Sequence, residues 1–335
     1  MVAMSNERYD DEILDSNEIS PTDVDGNPIP VTIPIMLAPG VKVVYTTRLG
    51  GVSAGGYGNC NLGGKGGDDP SRVLANRTAL AKAIGCDMSL ISQVHSGVAV
   101  DVDELWDPGA EPGTPYGFDA SGTPVDGAAA TVEADGQVTS RAGLALGMFA
   151  ADCLPVLMAD PAAGVIGAAH CGRRGLERGV IGATVEAMVA KGAAPERIVA
   201  TLGPCICGDC YEVGGDIADA FDARFPGTFT LSRFGQPGID IAAAALQELQ
   251  AAGVPMDSVV ASRPRVAAAT QYLSEDGELA ALCASDGEGP ALPERFAAVR
   301  HSMCTLENPL WYSHRRAALA GKAHEGRLLA LIVRE

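Results

Sequence analysis

Histidine is scarce in this chain, with five in 335 positions: His95, His170, His301, His314 and His324. A multicopper oxidase needs many more imidazoles, usually as His-x-His pairs, and no such pair occurs. No histidine is followed two places on by Glu, which removes the H-x-E signature of cytidine-type zinc deaminases, and H-E-x-x-H is absent as well. Basic residues are also few, 24 Lys and Arg against 42 Asp and Glu, for a formal charge of −18. That balance repels phosphate backbones and anionic lipid, so neither nucleic acid nor a membrane is an expected partner. No apolar run approaches the roughly 18 residues of a membrane span. The opening MVAMSNERYDDEILDSNEIS has no basic stretch leading into an apolar one, so the expected location is the cytoplasm. Without a secretion signal, the nine cysteines are expected as free thiols or metal ligands rather than as a disulfide framework.

What is present has a clear rhythm. Residues 1 to about 35 are acidic, with little apolar periodicity, and are expected to form a flexible tail. From Val41 onward, short β-branched runs (VKVVYTT, LISQV, VAVDV, LALGMFA, PVLMAD, GVIGAAH, RIVATLG) alternate with helical ones, which predicts a mixed α and β domain over residues 36–335. Helices are predicted over Pro70 to Ile84, with Asp69 as cap and Pro70 in first position, over Gly175 to Lys191, and over Ile239 to Ala252. Asp107 to Pro124 and roughly Ser262 to Arg295 break the pattern and are expected as surface insertions.

The segment ADCLPVLMADPAAGVIGAAHCGRRG reads as two strands around a tight turn. A hairpin centred between Pro161 and Ala162 pairs residues whose numbers sum to 323, which sets Cys153 opposite His170. Opposed Cβ atoms lie about 4.5–5.5 Å apart, close enough for a thiolate and an imidazole to share a metal ion. His95, in SQVHSG at the end of another strand, is the candidate third ligand; three ligands and an open position are the arrangement of catalytic zinc. The other reading is a buried core Cys153 with His170 merely ending its strand.

Arg48 stands where a strand opens into the glycine-rich TTRLGGVS, a place where a guanidinium could meet an anion; the other reading is an exposed arginine in a surface turn. Arg173 and Arg174 follow His170-Cys171-Gly172 at the predicted start of a helix, adding positive charge beside the candidate metal. In GPCICGDCYEVG, Cys207 and Cys210 form a C-x-x-C that could meet His301-x-x-Cys304 in a structural zinc site. The spacing favours instead a thiol-lined loop near the active site.

Taken together, TTRLGGVS…NCNLG, SQVHSG, ADCLPVLMADP, GAAHCGRRG, GPCICGDCYEVG and CTLENPLWYSHRR resemble, in order over about residues 41–335, the laccase-domain (YfiH-like) purine nucleoside phosphorylase family. The resemblance implies an α+β fold, a single-domain layered α/β sandwich with mixed sheets, and one catalytic zinc on His95, Cys153 and His170. It also implies Arg48 and Arg174 as the family's arginines, expected to position phosphate. The activity implied is phosphorolysis of adenosine, inosine and methylthioadenosine, with hydrolytic deamination of adenosine; the partners are purine nucleosides and phosphate, and a monomer is the expected state. Asp152 and Glu212 are candidate proton carriers. Arg173 stands where the family usually has Trp, Ser96 where it has Gly, and Ala151 where Thr is common, so base stacking is expected to differ. Two other classes remain: a copper-dependent polyphenol oxidase, an older label of the family, and a non-enzymatic metal-binding accessory protein.

Overall fold

A computed structural model describes residues 22, 23, 26–107 and 113–335. The strands are β1 (Thr32–Ala38), β2 (Val41–Thr46), β3 (Asp87–Ile91), β4 (Ala99–Asp101), β5 (Gly117–Ala120), β6 (Gly136–Thr139), β7 (Leu144–Ala150), β8 (Leu154–Asp160), β9 (Val165–Cys171), β10 (Val199–Leu202), β11 (Phe229–Leu231), β12 (Pro237–Ile239) and β13 (Leu328–Arg334). They build a six-stranded sheet in the order β1-β2-β13-β7-β3-β5, a five-stranded sheet in the order β10-β8-β9-β6-β4, and the small β11-β12 pair. Both large sheets are mixed: β3 runs parallel to β5 and β7, and β4 parallel to β6, while the other pairings are antiparallel.

The alternation of side chains places three apolar layers. Val43, Leu146, Met148, Ala330 and Ile332 of the first sheet meet Leu157, Ala159, Ile166 and Ala168 of the second. The alternate residues Val44, Ala145, Leu329 and Leu331 pack outward with Leu80 of helix α1 (Pro70–Ile84). On the far side, Val156, Met158 and Ala169 are covered by later helices, with Val185, Met188, Ala245 and Leu249 among the packed residues. Strands such as LLALIVR and LPVLMAD are apolar up to their last residue because both of their faces are covered. The result is the layered α/β sandwich with mixed sheets that the sequence implied.

The remaining helices are α2 (Val102–Leu105), α3 (Arg173–Glu177), α4 (Val180–Ala190), α5 (Gly215–Arg224), α6 (Ile241–Ala251), α7 (Arg263–Tyr272), α8 (Gly277–Ser285), α9 (Leu292–Ala298) and α10 (His314–Leu319). α1 has the predicted ends, and the Asp69 carboxylate accepts the Ser71 N–H at 2.9 Å. The helix predicted over Gly175 to Lys191 is broken in two at Gly179, whose φ of 75° no helix accommodates. The predicted tail lies mostly outside the described residues, but its end does not: Thr32 already opens β1.

Neither predicted insertion is a surface loop. Within Asp107 to Pro124, residues 108–112 lie outside the described residues; β5 closes one edge of the first sheet and carries Asp119, whose carboxylate takes the fully buried Arg77 guanidinium at 2.7 Å. Arg77 also donates to the Leu62 carbonyl and to Tyr116 and Thr123, so its charge is well satisfied. In the second segment, α7, α8 and α9 send Val266, Leu279, Leu282 and Leu292 into the core between the sheets. Gly and Pro there mark helix ends, not solvent loops. Removing one partner of a buried ion pair leaves the other charge uncompensated, so Asp119→Ala is expected to destabilise the fold by about 3–5 kcal/mol in urea unfolding. An unchanged midpoint would show that Arg77 does not depend on it.

Candidate metal centre and cavity

One end of the sandwich is where β3, β7 and β9 finish and β8 begins. The loop after β3 carries His95, the turn between β7 and β8 carries Cys153, and His170 lies near the end of β9. The structure brings these three together, with their ligating atoms all within 4.8 Å of one another. His95 Nε2 is 3.5 Å from Cys153 Sγ.

The hairpin behind this meeting is in a register two residues from the expected one. Leu154 pairs with Cys171 and Pro155 with His170, so the turn is centred between Ala162 and Ala163 and paired numbers sum to 325, not 323. Cys153 is therefore a diagonal neighbour of His170 rather than its direct partner. The face is preserved, because positions 153 and 155 lie two apart and side chains alternate with period two.

Asp135, at the entrance to β6, ties the centre together. Its side chain is fully buried and Oδ1 accepts from His170 Nδ1 at 2.7 Å, which directs the other ring nitrogen, Nε2, toward the trio. The same carboxylate accepts the backbone N–H groups of Val94, His95 and Ser96 and the Ser96 hydroxyl. Ser96, one of the departures from the family pattern, thus contributes a hydroxyl to the Asp135 cluster.

Among the described residues, His95 and Asp152 are the non-glycine residues with positive φ, at 59° and 89°. Such conformations cost of order 1–3 kcal/mol and persist where the surroundings over-determine them. His95 is held by Asp135 through its N–H and by the Arg178 guanidinium through its carbonyl. Asp152 accepts the Thr305 hydroxyl and the Arg315 N–H, both at 2.6 Å, while its own carbonyl accepts the Ile206 N–H.

Burial pushes the Cys153 thiol up, but His170 and His95 outweigh it and bring it down to about 6. Burial likewise works against charge on His170, yet the Cys153 sulfur and the Asp135 carboxylate raise it to about 9. Burial would also raise Asp135, and hydrogen bonds from His170 and Ser96 bring it down to about 2 instead. The trio therefore favours a thiolate, the form that binds metal. Two further observations fit a metal ion. A Cβ added to Gly172 would lie 2.7 Å from His95 Cδ2 and 2.9 Å from Cys153 Sγ, so glycine there keeps the space beside the ligands clear. Two imidazoles and one thiolate are also a donor set suited to a tetrahedral divalent ion with one open position.

His95, Cys153 and His170 all line a cavity of about 550 Å3. Ile91 and Phe149 give it apolar wall, Ser121 and Thr123 hydroxyls, and Lys65, Arg315 and Arg327 positive charge. Gln93 is locked in place by a pair of hydrogen bonds to the Phe149 backbone. Arg173 and Arg174 line a smaller concavity of about 260 Å3 that shares His95, Cys153 and Tyr211 with the larger one. Arg173 is paired with Glu177 at 2.7 Å, and α3, with five residues, is a single turn.

Arg48 is not among the residues lining either cavity. It is 1% exposed and donates through both terminal nitrogens to Asp286 at 3.2 Å, with Glu288 at 3.6 Å and the Tyr312 ring below it. The glycine-rich loop after β2 folds back under α8 rather than opening to solvent, because the segment expected as an insertion supplies the carboxylates. Glu212 accepts the Ser232 hydroxyl at 2.5 Å and does not line the cavity either, whereas Asp152 does. The cysteines of GPCICGDCYEVG lie behind the cavity wall, to which the segment contributes Tyr211. Asp135 carries no signal in the sequence, since no spacing rule marks a carboxylate 35 positions from the histidine it orients; Gln93 and Arg315 stand within the motifs SQVHSG and CTLENPLWYSHRR but are not singled out there as site residues.

Comparison with known proteins identifies the family. The family model described as Multi-copper polyphenol oxidoreductase laccase matches residues 42–276. Purine nucleoside phosphorylase ORF3 of Streptomyces griseus is 45% identical over 213 residues, covering 63% of this chain and 79% of the relative. The purine nucleoside phosphorylase of Deinococcus radiodurans is 41% identical over 227 residues, 66% of this chain and 80% of the relative. Adenosine deaminase RL5, from an unknown prokaryotic organism, is 33% identical over 238 residues, 67% and 83% of the two chains. Among solved structures, Neisseria meningitidis protein NMB0706 aligns at TM-score 0.64 and 30% identity, covering 91% of this chain and 99% of the other. The chain belongs to this laccase-domain family.

Proposed function

We propose that the chain is a zinc-dependent purine nucleoside phosphorylase of the cytoplasm that also deaminates adenosine. Adenosine, inosine or methylthioadenosine would react with phosphate to give the free base and ribose 1-phosphate or its methylthio analogue. The observation that carries this reading is the His95, Cys153 and His170 trio on the wall of a cavity of about 550 Å3, within the size range of small-ligand sites. Relatives named purine nucleoside phosphorylase and one named adenosine deaminase support it.

Bound at the trio, zinc would supply Lewis acidity and a water whose pKa is lowered to roughly 7. The chain's own residues do the rest. Ile91 and Phe149 offer the apolar surface a purine needs, and the hydroxyls of Ser121 and Thr123 can take sugar oxygens. In phosphorolysis a phosphate oxygen bonds to C1′ as the bond from C1′ to the purine nitrogen breaks, so an anion must be held in line with the sugar. Arg315 is placed for that role. Its guanidinium lies over the Tyr211 ring at the cavity and its backbone N–H is fixed by Asp152, next to Cys153. Arg174, on the smaller concavity, is a second contact for the anion. Asp152 acts through the turn it holds and is a positioning residue.

Zinc-analysed protein incubated with adenosine should give adenine and ribose 1-phosphate only when phosphate is present, and inosine without it. Copper in the purified protein with oxygen uptake on phenols, or no turnover of any nucleoside, would overturn the reading. Cys153→Ala should abolish both nucleoside reactions and release the zinc of this site. Arg315→Ala should raise the phosphate KM by at least about tenfold, the loss of one charge-assisted contact, with zinc retained. Arg48→Ala, by contrast, should lower the unfolding midpoint through the unpaired Asp286, since the chain holds that arginine in its interior; a phosphate-specific KM effect at unchanged stability would reverse the two assignments.

A further inference from the structure

Behind the cavity wall, two loops meet whose sequences share one spacing: Cys207-x-x-Cys210 and Cys304-x-x-Glu307. A parallel bridge between Cys205 and Cys304 joins them, with the Cys205 N–H donating to Met303 and the Thr305 N–H to Cys205. Each loop then turns tightly, as the Cys210 N–H returns to the Cys207 carbonyl and the Asn308 N–H to the Cys304 carbonyl, both at 2.9 Å. The turns carry the three sulfurs and a Glu307 oxygen to within 4.8 Å of one another.

The surroundings are those of a metal centre. Cys210 and Cys304 are each 1% exposed and the Glu307 side chain is fully buried. The Cys207 N–H points at Cys304 Sγ at 3.4 Å, and Cys210 Sγ lies 3.3 Å from Glu307 Oε1. Hydrogen bonds fix the Glu307 carboxylate in place, since Oε2 accepts the Arg300 and His301 N–H groups, both at 2.8 Å, and Arg233 Nη1 sits 3.0 Å from Oε1. Arg233 also offsets part of the negative charge that three thiolates and a carboxylate would bring. His301, which the sequence offers as a candidate ligand beside the favoured reading of a thiol-lined loop, turns away and meets exposed Asp209 at 3.0 Å.

We propose that Cys207, Cys210, Cys304 and Glu307 form a second, structural zinc site, separate from the trio at the cavity. Three sulfurs and one oxygen complete a tetrahedron, the closed coordination of structural zinc, with no position left for a substrate. Binding forms three Zn–S bonds and one Zn–O bond, and the three thiol protons pass to solvent. The ion pins the loop after β10 to the loop before α10. Those loops supply Ile206 and Thr305, which hold Asp152, and Tyr211, which lines the cavity. The site is therefore a clamp behind the wall of the larger cavity.

Metal analysis of the full chain, purified from zinc-supplemented culture, tests this directly. The wild type should carry about two zinc per chain, and Cys207→Ser/Cys210→Ser and Cys153→Ala about one each. The double serine variant should also unfold at lower temperature. About one zinc per chain in the wild type, lost entirely in Cys153→Ala, would overturn the proposal. So would a disulfide between Cys207 and Cys210 found by mass analysis of unreduced wild-type protein. If the serine variant fails to fold, Co2+ titration of the wild type decides the matter. Two metal equivalents with a thiolate-to-cobalt absorption far stronger than one sulfur can give supports the site, and one equivalent with weak absorption refutes it.

Discussion

The Asp135 carboxylate is the constraint on which the centre depends. One buried group orients the His170 ring and collects three consecutive backbone N–H groups from the loop that carries His95. Two candidate ligands from different sheets are thereby referred to a single point. A buried carboxylate that were not so fully bonded would be costly in this interior; bonded as it is, it stays ionised and holds His95 in a conformation the residue would otherwise avoid. The third candidate ligand, Cys153, is placed by the neighbouring Asp152, itself fixed from the opposite side by Thr305 and Arg315.

The sandwich makes this arrangement possible. Because both faces of both large sheets are covered, the strand ends converge on one rigid rim, and the loops leaving it are short. Charges that do not serve the cavity are neutralised inside the body of the protein. Arg77 with Asp119 closes one sheet edge, and Arg48, Arg295 and Arg316 with Asp286 and Glu288 join α8 and its flanking loops to the end of β2, to α9 and to α10. A −18 chain thus commits several of its arginines to internal pairing, which leaves few cations at the cavity and makes those few informative.

Much of this is legible in the residues. Seven short apolar runs correspond to strands, α1 has its predicted ends, and the three residues expected as ligands lie together. The hairpin argument reaches the correct face from a register two residues off, because a displacement of the partner by two positions leaves the side-chain face unchanged. What is not legible depends on distant pairing. The Gly- and Pro-rich segments read as insertions because nothing local in DPGAEPGTPYGFDASGTP reveals that Asp119 will meet Arg77, or that Asp286 will meet Arg48. Arg48 reads as an anion ligand for the same reason. The sequence offers His301 rather than Glu307 as a candidate fourth ligand, and favours a thiol-lined loop over either, because a histidine is the commoner partner of a C-x-x-C and the bridge that brings Cys304 beside Cys205 exists only in the fold.

The most direct measurement is the zinc affinity of Asp135→Asn, read by competition with a chromophoric chelator beside the wild type. If the carboxylate orients the ligands, affinity at the His95, Cys153 and His170 centre should fall by about 10- to 100-fold, with the chain still folded. Unchanged affinity in a folded variant would contradict the account, for the trio would then assemble without the residue on which its geometry rests.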